Sequence, residues 1–237
     1  MITRTAWTLA ILLSIAASAA AEDFRKGLAA HKRGDYAAAF SEWLPLAKKG
    51  NAEAQYRLAF MYERARGVPR DYTQAVAWFR KAADQGHARA QYSLGLRLLW
   101  GRGAAKNLKE AVTWFRKAAE QGHARAQYSL ALRYTRGQGV LIDDVTALKW
   151  LHKAAEQGHT SAQYRLGHRY GRGIGVPKDL VKGYMWWNLA ALEGHQRAIG
   201  FRNGIAKFMT PAEIARAEKL TQEWREKLKN KRLPNAS

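Results

Sequence analysis

"AEQGHARAQYSLALRYTRGQG" (Ala119–Gly139) is a near copy of "ADQGHARAQYSLGLRLLWGRG" (Ala83–Gly103), displaced by thirty-six residues. Self-similarity at that period marks a tandem array of small supersecondary units. Working outward, four units cover 52–87, 88–123, 124–159 and 160–195 with no residue inserted or deleted. Matched positions hold Ala54, Ala90, Ala126 and Ala162, then Tyr56, Tyr92, Tyr128 and Tyr164, then Leu58, Leu94, Leu130 and Leu166. The second half of each unit carries Trp78, Trp114, Trp150 and Trp186, followed by paired alanines such as Ala82-Ala83.

Each half reads as a helix. In the first, apolar residues fall at unit positions 3, 7, 8 and 11, the one-face spacing of a 3.6-residue period. The second opens on Asp71, Asn107, Asp143 or Asp179, whose short side chains accept from free N–H groups of the first turn. Gln74 and Glu110, three residues on, predict capping boxes in two units. Gly86, Gly122, Gly158 and Gly194 close the second helices, where glycine allows the left-handed turn. One hairpin cannot bury its own apolar side, so Tyr56 and Trp78 require the next pair as a cover. The expected fold is all-α: a right-handed α/α superhelical solenoid of helix-turn-helix repeats, its concave side formed largely by the first helices.

The flanks differ from the array. Residues 22–51 read as a shorter N-terminal unit turning at "RGDY" (Arg33–Tyr36), with Ala39, Phe40, Trp43 and Leu46 at helical spacing. Residues 196–230 read as C-terminal capping helices, the last opening on Thr210, Pro211 and Glu213. Residues 231–237 read as a disordered tail.

The pattern "AQYxLG…Y…GxGV…D…A…W…KAAEQGH" resembles the Sel-1-like repeat (SLR), a relative of the tetratricopeptide repeat (TPR), over roughly residues 22–224. That resemblance implies a scaffold or adaptor holding a partner protein or peptide on its curved surface. In exported bacterial members it further implies ties to envelope assembly, signalling or exopolysaccharide regulation. Some cysteine-rich relatives are linked to cell-wall binding, a subgroup that this cysteine-free chain fits poorly.

The N-terminus, "MITRTAWTLAILLSIAASAAAED", has the three parts of a secretory signal: Arg4, an apolar stretch, and small-residue cleavage sites at Ala17–Ala21. Its apolar run is too short for a span, which needs about 20 residues. Residues 1–21 are therefore expected to be a signal peptide cleaved near Ala19 to Ala21, delivering the chain across the inner membrane to the periplasm. Forty Lys and Arg against nineteen Asp and Glu give +21. Such a charge favours anionic partners. Export argues against nucleic acid and leaves an acidic protein or peptide first, then an anionic glycan or peptidoglycan, or association with a membrane surface. Absence of cysteine excludes disulfides, thiol chemistry and Cys-ligated metals.

No catalytic constellation emerges. There is no G-x-S-x-G or H-E-x-x-H, and Gly101-Arg102-Gly103 lacks the Lys-Ser/Thr of a phosphate loop. The recurring His87, His123, His159 and His195 cannot converge on one metal, because stacked helices stand about 8–10 Å apart. They read as helix-terminus and packing residues. Neither enzyme activity, cofactor nor metal is expected. The tryptophans share one phase of an amphipathic helix and read as core, whereas Trp100 stands where other units carry Arg64, Arg136 and Arg172 and is a candidate aromatic contact.

The candidate binding residues are arginines. At 100° per residue, unit positions 2, 6, 10 and 13 cluster on one narrow side of each first helix, opposite the apolar stripe. That side carries Arg57, Arg64, Arg89, Arg97, Arg125, Arg133, Arg136, Arg165, Arg169 and Arg172. No Asp or Glu lies between Ala88 and Gly103, Ala124 and Gly139, or Thr160 and Gly175, so the helices lack local counter-charge. At position 10, Met61 is followed by Arg97, Arg133 and Arg169 in the next units, and a like-charged row adds nothing evident to packing. Two readings stand: a solvated face of a basic protein, or an anion-binding groove whose guanidinium forks grip carboxylates or phosphates in pairs.

Overall fold

The computed structural model describes residues 21–232, which form twelve helices and no strand. The signal-peptide reading up to residue 20, and the tail from 233, lie outside the described residues. Helix α1 (21–32) and α2 (Tyr36–Lys48) make the N-terminal hairpin. The repeats supply α3 (Ala52–Arg64) and α4 (Tyr72–Asp84), α5 (Ala88–Trp100) and α6 (Leu108–Glu120), α7 (Ala124–Arg136) and α8 (Asp144–Ala155), and α9 (Thr160–Arg172) and α10 (Leu180–Leu192). Helices α11 (Gln196–Ala206) and α12 (Pro211–Arg232) follow, α12 taking in residues 231 and 232 at the start of the expected tail.

The chain divides into two compact units, one running to Trp114 and the other starting at Phe115. In the first, Trp43, Leu58, Met61, Phe79 and Leu94 are fully buried. In the second, Leu151, Leu166, Met185 and Trp186 form a core that Trp150 and Trp224 flank, and Trp187 stacks on Phe201 at 5.2 Å. Trp78, Trp114 and Trp186 are buried, as core residues at their phase should be.

Helix starts follow the expected chemistry, apart from the two expected capping boxes. Asp71, Asn107, Asp143 and Asp179 each accept a first-turn N–H. The reciprocal half of the capping box forms at Thr210 and Glu213 but at neither of the two expected repeat sites: Asp71 gives its N–H to the Tyr62 carbonyl instead of Gln74, and Asn107 does not give its own to Glu110. Asn107 gives its N–H to the Leu98 carbonyl, which leaves Glu110 to accept from Arg80 at 2.7 Å and Trp114 at 3.2 Å.

The recurring histidines take the helix-terminus and packing roles expected of them, at the starts of α5, α7, α9 and α11. His87, His123, His159 and His195 are N-caps, each accepting through Nδ1 from the N–H three residues on. Within each unit the ring also lies against a repeat tyrosine: Tyr56–His87, Tyr128–His159 and Tyr164–His195 at 4.8, 4.6 and 4.5 Å. One side chain thus ends a helix and fastens it to its neighbour. Buried Gln55, Gln91, Gln127 and Gln163 do the complementary work, donating to carbonyls of Ala47, Ala83, Ala119 and Ala155 at the preceding helix ends.

Candidate functional site: a cationic cleft and two paired arginines

Burial separates the arginines that helical angle had placed on one side. At position 13, Arg64, Arg136 and Arg172 are exposed and Trp100 is 74% exposed; at position 10, Arg133 and Arg169 are only 7% and 5% exposed. Position 10 therefore turns against neighbouring helices instead of lining an open stripe.

Two of the three position-10 arginines find acids that no local reading could supply. Arg97 pairs with Glu63, both largely buried. Arg169 donates to Asp144 at 2.6 Å, to Thr135 at 3.1 Å and to the Ile174 carbonyl at 3.4 Å. The expectation that these helices lack counter-charge is corrected for both: the acids come from the preceding repeat. Arg133 differs in having no acid partner among the described residues; its Nε is buried and unpartnered, as are those of Arg57 and Arg97. Burial, then the nearby Arg136 charge, pulls its guanidinium below the ordinary arginine range. At the register positions that hold Glu63 and Asp144, the repeat before Arg133 carries Leu99 and Leu108.

The remaining candidates are distributed as follows. Arg165 donates through Nε to the Tyr128 hydroxyl at 3.0 Å. Arg172 lies over Phe201. Arg89, Arg125 and Arg136 are exposed and, among the described residues, form no ion pair.

Arg57 and Arg64 are brought together. They line a cleft of about 230 Å³ in the first unit with His31, Trp43, Tyr56, Phe60, Met61 and Arg66. Each guanidinium rests on aromatic faces: Arg57 over Trp43 at 5.2 Å and Phe24 at 5.5 Å, Arg64 over Phe60 at 4.9 Å, Arg66 over Tyr36 at 5.0 Å. Such cation–π seating orients a guanidinium while leaving its N–H edge free for an anion. Arg57 alone is ion-paired, with Glu53 at 2.7 Å, and Glu53 also meets His87 at 2.9 Å. Those two partners hold the Glu53 carboxyl below the usual carboxylate range, the His87 hydrogen bond contributing most. Burial, then the charges of Arg66, Arg57 and Arg64, holds the His31 imidazole below the ordinary histidine value. The cleft is thus positive at its floor. Arg66 and His31 escaped the sequence reading because one lies past the end of α3 and the other on α1.

Two larger crevices of the second unit, about 560 and 450 Å³, carry balanced charge. Glu193 and Glu226 face Arg225 and Lys229 in one, and Glu156 and Glu223 face Lys182 and Lys227 in the other. Neither prefers one sign of ligand.

The family model of the Sel1 repeat matches residues 52–87, 88–123, 124–159 and 160–195, the four units found by register. The chain belongs to the Sel1 repeat family. Its fold matches a protective antigen of uropathogenic Escherichia coli displaying an SLR fold, at TM-score 0.79 and 32% identity over 96% of this chain and 52% of that one. It also matches a Sel1 repeat protein from Oxalobacter formigenes, at TM-score 0.68 and 37% identity over 72% and 50% of the two chains. The chain spans about half the length of each. Among curated proteins none matches. Sel1 repeat proteins are helical scaffolds for protein interaction, and the consecutive helix hairpins of each unit have that construction.

Proposed function

We propose that this Sel1 repeat protein is an exported, periplasmic adaptor that holds an acidic segment of a partner protein against the arginines of its first helices. The observation that carries the reading is the cleft where Arg57, Arg64 and Arg66 converge on aromatic faces with Glu53 as the one paired acid. A volume of about 230 Å³ suits a side chain or two of a docked peptide better than a free cofactor, since small-molecule pockets run about 300–1,000 Å³. Export rests on the three-part N-terminus, and fractionation of cells with N-terminal sequencing of the mature chain tests it. A role in envelope assembly, signalling or exopolysaccharide regulation fits that location. Trp100, 74% exposed, supports a second reading in which an anionic glycan or peptidoglycan is the ligand.

Fluorescence anisotropy of a labelled glutamate-rich peptide, set against a uronate oligosaccharide of equal charge, tests both. The adaptor reading expects the peptide to bind more tightly and to weaken steeply with salt. Arg64→Gln/Arg66→Gln should weaken it about tenfold or more, because each charge-assisted hydrogen bond contributes about 1.5–3 kcal/mol. Equal binding by the double variant overturns the reading; tighter oligosaccharide binding favours the second.

A further inference from the structure

The third repeat departs from its siblings at one end, and the departures fall together. Its connector reads Leu141-Ile142 where the other repeats have Pro69-Arg70, Ala105-Lys106 and Pro177-Lys178. Leu141, Ile142 and Val145 are 89%, 67% and 62% exposed, an apolar patch where basic or turn residues are the rule for this chain. The connector folds back on α7: Asp143 donates its N–H to the Tyr134 carbonyl at 3.1 Å, and a Cβ placed on Gly137 would stand 3.0 Å from Ile142 Cγ1.

The same turn holds two unsatisfied polar atoms of opposite need. Arg133 Nε lacks an acceptor and Gln138 Oε1 lacks a donor, both atoms being buried. Arg133 is 7% exposed. In the next repeat the corresponding guanidinium, Arg169, bonds the carbonyl of Ile174, which stands where Gln138 stands, and takes its charge partner from Asp144. A buried cation without a counter-ion is costly to keep, and a group that supplies one at the surface has much to gain. Exposed apolar side chains beside such a cation mark the chemistry of an interface anchor.

We propose that the connector end of the third repeat is a second docking point for the acidic partner segment, taking an acidic residue followed by an apolar one. The acidic carboxylate pairs with Arg133 and Arg136, and the apolar side chain covers Leu141, Ile142 and Val145. This inference rests on the adaptor reading and adds the requirement for an apolar residue. Charge alone would be served by the lysines and arginines of the other connectors; the patch selects among acidic segments.

Two fluorescent peptides of equal length and charge, glutamates interspersed with leucines or with serines, are titrated onto the full chain. The leucine peptide should bind about tenfold more tightly, the scale of burying one large aliphatic side chain. Ile142→Lys/Val145→Thr installs residues that other repeats already carry there, and its thermal unfolding confirms the fold. In this variant the two peptides should bind alike, although the added charge by itself favours both. Arg133→Gln should weaken both peptides. No preference for leucine in the parent chain, or a preference that survives the double variant, overturns the second docking point. Absence of any binding by either peptide instead overturns the adaptor reading on which it rests.

Discussion

Asp144, at the first turn of α8, lies 2.6 Å from the Nη2 of Arg169, a guanidinium that is itself nearly enclosed. Arg133 occupies the same register position one repeat earlier and has no such acid. The two arginines should therefore respond to the same substitution in opposite directions. Arg133→Met, which installs the residue found at Met61, should raise stability by about 1–2 kcal/mol because it removes an unpaired buried charge. Arg169→Met should lower it by about 1–2 kcal/mol; the loss is moderated because Asp144 stays 44% exposed and hydrated. Urea unfolding of both variants measures the contrast, and a destabilised Arg133→Met would mean that this charge is satisfied within the chain.

Acid should weaken the fold before its carboxylates titrate. Burial is the leading cause that holds His31, His152, His159 and His168 below the ordinary histidine value of 6.5. The unfolded chain then binds more protons, so stability is full above about pH 6.5 and falls as pH drops below it. For His159 the structural reason is plain, since Nδ1 must stay unprotonated to accept the Ala162 N–H. His159→Asn, which copies the cap that Asn51 provides, should fold normally and show a shallower decline between pH 7 and 5.5 in thermal unfolding. An unchanged decline would contradict the capping role.

Ala65 has φ +54° at the end of α3, where α5, α7 and α9 end on glycines in the left-handed region. An L-residue pays about 1–2 kcal/mol for that conformation, and glycine loses about 0.5–1 kcal/mol of it back as backbone entropy. Ala65→Gly should therefore stabilise by about 0.5–1 kcal/mol, a rise in Tm of a degree or more by calorimetry.

Helices α9 and α10 approach each other closely. A Cβ on Gly183 would meet the backbone of Gly171 at 2.9 Å, although Ala75, Ala111 and Ala147 hold the matched position. Gly183→Ala should destabilise by about 1–3 kcal/mol, since the obstacle is backbone and not a movable side chain.

The repeat period, helix limits, caps at Asp71, Asn107, Asp143 and Asp179, and the buried tryptophan phase were legible because each depends on neighbours in sequence. The arginine site was legible only in part. Glu63 reaches Arg97 across thirty-four residues and Asp144 reaches Arg169 across twenty-five, so a search for local counter-charge misses both. The helix-terminus role of His87, His123, His159 and His195 was legible in their recurrence, whereas the capping bond through Nδ1 was not. Arg66 and His31 join Arg57 and Arg64 only once α1 and α2 fold against α3, a relation that no helical angle encodes.

Observing the His31 imidazole by NMR during a pH titration, with and without a saturating glutamate-rich peptide, tests the cationic cleft most directly. The arginines beside His31 depress its proton affinity, so a carboxylate bound among them should raise its pKa, and added salt should reverse the rise. A His31 titration that the peptide leaves untouched, while the peptide demonstrably binds, would place the acidic partner elsewhere and remove the function assigned to Arg57, Arg64 and Arg66.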